Sequence, residues 1–204
     1  MTTQAIAPFL KTDWPYQTSE AVMLLYSENH TNIFPETFLP TIYYRLKEDD
    51  LLDTMFPGMD MGHLNRFINY WGDPRRLGRV VCCLKDPLGP PKLVGLGWLC
   101  EAECGRGSFG FGFFREAWKQ RVHVDLSMMM LHEWFNGCSI EVLYGTTLNP
   151  IAKNYAKRFG FRYLAELPKF FPHHGKLLNA HLIVLEKEVF SEYYRQWQEK
   201  RDNP

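Results

Sequence analysis

Apolar positions along this chain follow two rhythms. Between residues 35 and 52, Phe38, Ile42, Tyr43, Leu46, Leu51 and Leu52 fall near a 3.6-residue period and predict a helix with Pro40 near its start. A break at Pro57-Gly58 separates it from a second short helix, His63 to Trp71, which the turn Gly72-Asp73-Pro74 ends. Before them, residues 1–19 show little pattern and read as an arm, and Ala21 to Tyr26 reads as a first strand. From Arg79 the rhythm becomes that of strands. Arg79 to Lys85, Lys92 to Cys100 and Ser108 to Arg115 are separated by turn residues at 86–91 and 103–107, which predicts an antiparallel meander. Val124 to Phe135 returns to helical spacing. Ile140 to Thr147 is a further strand, and Asn149 can cap a helix through Ile151, Ala152, Tyr155, Ala156 and Phe159 that Gly160 stops. Arg162 to Phe170 and Ala180 to Glu186 flank a turn at 172–175, and a polar amphipathic tail starts at Ser191.

Composition narrows the picture. In a 204-residue chain, 46% apolar with 15% aromatic residues, one domain spanning 1–204 can bury a full core. Lys plus Arg and Asp plus Glu both number 23, so no overall field draws the protein to nucleic acid or an anionic membrane. The five cysteines are odd in number and mostly lie in apolar runs, as reduced core thiols do. Cys100 and Cys104 lack a second ligand pair, and His173-His174 lacks a partner carboxylate or thiol, so no metal is expected. Met128 to Met130 read as core filler. The N-terminus has no basic start followed by an apolar run, and no span is long enough for a bilayer, so a cytoplasmic protein is expected.

The strand Ser108 to Arg115 places Phe109, Phe111 and Phe113 on one face and Gly110, Gly112 and Phe114 on the other. Strand glycines mark a bulge or a close approach to the main chain. Either a ligand or a bulky side chain can make that approach. For Gly95 and Gly97 the two readings weigh equally, whereas the paired Gly110 and Gly112 favour a ligand.

Asn149, Ala152, Gly160 and Phe161, at the junction of strand and helix, match in spacing a conserved block of the GNAT superfamily of N-acetyltransferases, which this chain resembles. The order of elements from Arg79 to Phe190 is also similar. The resemblance implies an α+β fold with a mixed, mostly antiparallel central sheet flanked by helices. Residues 1–78 would form an arm and a substrate wall, 79–190 the acyl-coenzyme A-binding core, and 191–204 a C-terminal helix. It further implies an acyl-CoA-dependent N-acyltransferase moving an acetyl group from acetyl-CoA to a primary amine of a small molecule or protein. The strand Ser108 to Arg115 would be bulged and splay from the next one, and its exposed main chain, at Phe113 and Phe114, would hold the pantetheine arm and the acetyl carbonyl. Counting back from Phe135 puts Trp118, Arg121 and His123 where the family's pyrophosphate loop carries arginine, glycine and a small residue. Lys119, Arg121, Val122 and His123 would then form the cradle, Lys119, Arg121 and His123 supplying side-chain charge in place of backbone contacts, although Arg121 and His123 could equally block it, with Asn149 and Ala152 facing the coenzyme.

Two departures stand out. The loop glycines are absent, and Ala156 occupies the place of the family's proton-donating tyrosine, leaving Tyr155 beside it as candidate acid and Glu116, backed by Glu101 and Glu103, as candidate base. They motivate another expectation, a catalytically silent GNAT-like protein that binds a protein partner through its N-terminal helices or through Tyr194 and Trp197. Short divergent proteins of this kind look similar to those of tailed phages, which would place the chain in a host cytoplasm. The acyl-transfer expectation carries a structural condition. Gly110 and Gly112 should open a slot beside the helix that Asn149 begins; side chains sealing them, with no groove toward Arg121, would end the acyl-transfer expectation and leave only the likeness of the scaffold.

Overall fold

The computed structural model describes the chain except for residues 1–15, 27–33, 57, 87, 89–90, 174–175 and 203–204. Most of the expected arm and part of the last turn therefore lie outside the described residues. Strand β1 (Ala21–Leu25) is followed by helices α1 (Phe38–Glu48), α2 (Leu52–Met55) and α3 (Leu64–Trp71), then strands β2 (Leu77–Leu84), β3 (Lys92–Glu103) and β4 (Arg106–Phe113). Helices α4 (Arg115–Lys119) and α5 (His123–Asn136), strand β5 (Val142–Thr147), helix α6 (Pro150–Ala156), strands β6 (Arg162–His173) and β7 (Lys176–Glu186) and helix α7 (Lys187–Asp202) complete it. The strands form one seven-stranded sheet in the order β1-β2-β3-β4-β5-β7-β6, antiparallel throughout except where β4 meets β5. This is the mixed, mostly antiparallel α+β sheet that the sequence predicts.

Each face of the sheet has its own core. On one face α5 lays Leu126, Met129, Met130 and Trp134 against Val80, Cys82, Leu99 and Leu143, with Tyr155, Phe159, Phe190 and Trp197 closing the layer from α6 to α7. On the other face Ile42, Leu46, Phe56, Phe67 and Trp71 of the N-terminal helical segment pack on Leu96, Trp98 and Phe114. Strand β2 is covered on both sides, which is why Val80, Val81, Cys82 and Cys83 read as an unbroken apolar run.

Several boundaries differ from expectation for physical reasons. The first predicted helix divides at Asp50, whose φ of 53° ends α1 before the short α2 begins. The residues between β4 and α5, expected to form a loop, include α4. The last strand begins at Lys176 and α7 at Lys187, each four residues earlier than the pattern suggests. Helix α6 is capped as predicted, with the Asn149 side chain accepting from the Ile151 N–H at 2.8 Å, and its final turn reaches Gly160 at φ 92°. Asn149→Ala is expected to cost ~1 kcal/mol, read as a lower urea midpoint at unchanged slope; an unchanged midpoint would show the cap to be dispensable.

Candidate active site

The feature that organises the site is a parting of strands. β4 and β5 pair in parallel at Arg106–Val142, Gly107–Leu143 and Ser108–Tyr144 and no further, although β4 continues to Phe113 and β5 to Thr147. On its other edge β4 stays paired with β3 up to Phe113, and Phe114 N–H donates to Val94 O at 2.9 Å. That bond fixes the alternation: even-numbered residues of β4 turn their N–H and C=O groups to β3, odd-numbered ones to the side that β5 has left. The main-chain groups of Phe111 and Phe113 therefore face the wedge. At its apex Phe109 packs on Phe161 with ring centroids 5.4 Å apart and reaches over Gly145.

Gly110 and Gly112 depart from expectation on two counts. Their backbone groups belong to the ladder with β3, and their bare faces are covered. A Cβ on Gly110 would lie 2.4 Å from the Trp98 indole, and one on Gly112 2.5 Å from Met55 Sδ. Gly95 and Gly97 play the same part on the opposite face, beneath Phe113 and Met130. The register explains the pattern, because Gly95 stands opposite Phe113, Gly97 opposite Phe111 and Gly110 opposite Trp98. Small residues alternate with aromatic ones across the two strands. The glycines serve packing, and the exposed main chain belongs to the phenylalanines between them.

From the end of β4 the chain runs through α4 to the start of α5. Arg121, at the position where the family's loop has glycine, adopts a left-handed φ of 59°, so the turn keeps the glycine-like conformation with an exposed guanidinium on it. No side chain caps α5, leaving its first-turn N–H groups free of a side-chain acceptor. The His123 ring is folded inward: it is buried, its Nδ1 lies 3.3 Å from Ala117 O, and the Trp118 ring covers it at 4.1 Å between centroids. Burial, reinforced by the charge of Arg158, holds His123 below its ordinary value. Folded into the core beneath Trp118, the ring presents no exposed charge to the turn, contrary to one of the roles expected for it. Lys119 and Arg121 are exposed beside it. The side chains of Phe113, Phe114 and Val122 are core, so these residues can meet a ligand only through main chain, and the N–H groups of Phe114 and Val122 are already donated to Val94 O and Ala117 O. Asn149 and exposed Ala152 stand across the wedge at the head of α6.

The two candidate proton-transfer groups are both engaged. Tyr155 is buried; its hydroxyl donates to His123 O at 3.0 Å and lies 2.9 Å from Ser127 Oγ. Burial pushes this phenol well above its ordinary value. Glu116 pairs with Arg45 at 2.7 Å and Lys92 at 3.1 Å. Partial burial raises its carboxyl, but its own backbone N–H, Lys92 and Arg45 together outweigh that and leave it below the ordinary range. Glu116 faces α1 and β3, lining an open hollow of about 580 Å³ with Thr41, Tyr44, Arg45, Glu48 and Asp49. Glu101 and Glu103 are exposed near the β3–β4 turn, at the opposite end of β4 from Phe113. Sequence reasoning did not single out Ser127, Arg158 or Met55, and it treated Trp118 only as a misfit in the loop. The aromatic-glycine complementarity of β3 and β4 was the one available signal for Trp98.

Solved structures share this architecture. The chain is similar to the spermidine N-acetyltransferase of Vibrio cholerae, crystallised with CoA and spermine, at 15% identity over 85% of this chain and 99% of that one, with a TM-score of 0.64. It is also similar to the ribosomal-protein-S5-alanine acetyltransferase of Vibrio fischeri (10% identity, 86% and 97% covered, TM-score 0.62). A GNAT-family acetyltransferase of Bacillus anthracis gives 12% identity, 85% and 98% covered, and a TM-score of 0.61. Neither a family model nor a curated protein sequence matches the chain. At these identities the likeness establishes the fold, which is that of the GNAT acetyltransferases.

Proposed function

We propose that the protein is an acyl-CoA-dependent N-acyltransferase acting on a primary amine of a small molecule or protein. The observation that carries this is the β4–β5 wedge, with the main chain of Phe111 and Phe113 turned into it and an uncapped α5 beyond its β4 side. Acetyl-CoA, when bound, supplies an acyl group activated as a thioester. The residues present fit it: extended N–H and C=O groups suit the amides of a pantetheine arm, and a left-handed turn before an uncapped helix suits a pyrophosphate. Arg121 and Lys119 add the positive charge that the family's loop draws from backbone alone. Asn149 and Ala152 bound the far side of the wedge, and helices α1 to α3 form the acceptor wall. The sealed glycines contribute nothing to the slot, so the reading rests on the parted strands.

A second reading has its own support. Tyr155 and Glu116 are both tied up, Ala156 is buried where a proton donor would stand, and exposed Glu101 and Glu103 lie at the far end of β4 from Phe113. A catalytically silent protein that keeps the scaffold to bind a protein partner accounts for this as well.

Isothermal titration with acetyl-CoA separates the two. Micromolar affinity, weakened about tenfold or more by Arg121→Glu, is expected for the transferase. No heat at millimolar ligand would overturn it, and tight binding without turnover on any amine would favour the silent reading.

A further inference from the structure

The buried hydroxyl of Tyr155 joins three pieces of chain at the edge of the wedge. Its single proton is donated to His123 O, so the Ser127 hydroxyl, 2.9 Å away, must donate to the phenol oxygen, giving a chain from Ser127 through Tyr155 to a main-chain carbonyl. The tyrosine ring stands edge-on to Trp118 at 5.2 Å and to Phe159 at 5.0 Å, so the start of α5, the α4 segment and α6 meet on one side chain. A proton held by a buried main-chain carbonyl of α5 is not placed to be given to a leaving group in the wedge. His123 and Ser127 are one helical turn apart, so both hydrogen bonds clamp the same first turn of α5.

We infer that Tyr155 is a positioning residue for the coenzyme: it fixes the first turn of α5 against α6, and with it the direction of the free N–H groups that face the pyrophosphate. The inference rests on the acyltransferase reading for its ligand, but its geometric half is independent of that reading. Tyr155→Phe keeps the ring and its contacts with Trp118 and Phe159 and removes only the hydroxyl.

The expected result is a split between binding and turnover. In Tyr155→Phe, which removes both hydrogen bonds of the hydroxyl, the Kd for coenzyme A by calorimetry and the KM for acetyl-CoA both rise about fivefold, while kcat and its pH profile stay as in the parent protein. Ser127→Ala shifts both constants in the same direction by less. Hydrogen exchange on the free protein supplies a readout that needs no ligand: amides at the start of α5 exchange faster in Tyr155→Phe, and those of its C-terminal half do not. A fall in kcat with loss of the alkaline limb at unchanged coenzyme affinity would make Tyr155 the acid and overturn the inference. Unchanged exchange at the α5 start would overturn it too. If the parent protein itself fails to bind coenzyme A, the acyltransferase reading falls, and the exchange measurement still decides whether Tyr155 holds the helix.

Discussion

Gly110→Ala is expected to destabilise the protein by ~3 kcal/mol, whereas Gly112→Ala, two residues further along the same face, costs less than ~1 kcal/mol. Both glycines have a side chain lying on them, so the distinction is in what can give way. At Gly110 the added carbon meets Trp98 at 2.4, 2.7 and 3.0 Å. That indole is 2% exposed, stacked on Phe56 at 5.0 Å, edge-on to Trp71 at 5.4 Å, and bonded through Nε1 to the Tyr70 hydroxyl at 3.1 Å. It has no direction in which to retreat without disrupting the N-terminal helical core. At Gly112 the obstacle is the thioether of Met55, half-buried on the four-residue α2, and a methionine re-rotamers at small cost. The lower unfolded-state entropy of alanine then offsets part of the loss. Urea unfolding of the two variants at unchanged slope tests this, and similar losses at both positions would show that Trp98 is not the rigid element. Trp98→Leu in the Gly110→Ala background is expected to cost less than the sum of the single changes, because removing the indole relieves the clash of the added methyl, and that methyl fills part of the cavity the shorter side chain leaves.

The same contact shows how far the sequence could be read. The alternation of Gly110 and Gly112 with Phe109, Phe111 and Phe113 marked a close approach correctly, since glycine in a strand interior needs a reason. What approaches is a cross-strand tryptophan and a helix methionine, which depend on register and on the placement of the N-terminal helical segment, neither of which a period-two pattern contains. The strand-to-helix junction at Asn149 was legible because capping is local: the side chain and the N–H it accepts are two residues apart. The opening between β4 and β5 was expected only from the family resemblance, because parting of strands leaves no mark on the hydrophobic pattern of either one. Arg121 illustrates the same limit from the other side. It holds a left-handed φ of 59°, a conformation that glycine adopts most readily, and nothing in the hydrophobic pattern announces it. Tyr155 sits one residue from the expected donor position, and about 100° of helix rotation is enough to turn its hydroxyl from the wedge to a main-chain carbonyl of α5.

Between pH 7.5 and pH 10 the protein is expected to lose ~2–3 kcal/mol of stability through Cys82 and Cys83 alone. The two thiols are adjacent on β2 and point to opposite faces, Cys82 into the core under α5 and Cys83 into the outer cluster with Val22, Leu24, Val81 and Phe34. Burial pushes Cys83 up to about 12 from an ordinary value of 9.0, and burial, helped by the charge of Cys83, raises Cys82 well above the same value. The sign follows from which state holds the proton. Below pH 9 both states keep it, and the stability associated with the shift is fully present. Above pH 9 the unfolded chain releases protons that the folded chain retains, so unfolding is favoured by up to ~1.4 kcal/mol per pH unit per thiol until the folded value is passed. Cys138, which burial pushes up to about 11, and the buried tyrosines add to the loss, but both proteins carry them equally, so the difference between parent and variant isolates Cys82 and Cys83. The measurement is urea unfolding with reductant present, comparing the pH 7.5 to 10 loss in the parent with that in Cys82→Ala/Cys83→Ala. The double variant starts less stable because it leaves cavities, yet it should lose ~2–3 kcal/mol less over this range. Equal losses in the two proteins would mean that the β2 thiols ionise without unfolding, and that the strand is not sealed on both faces.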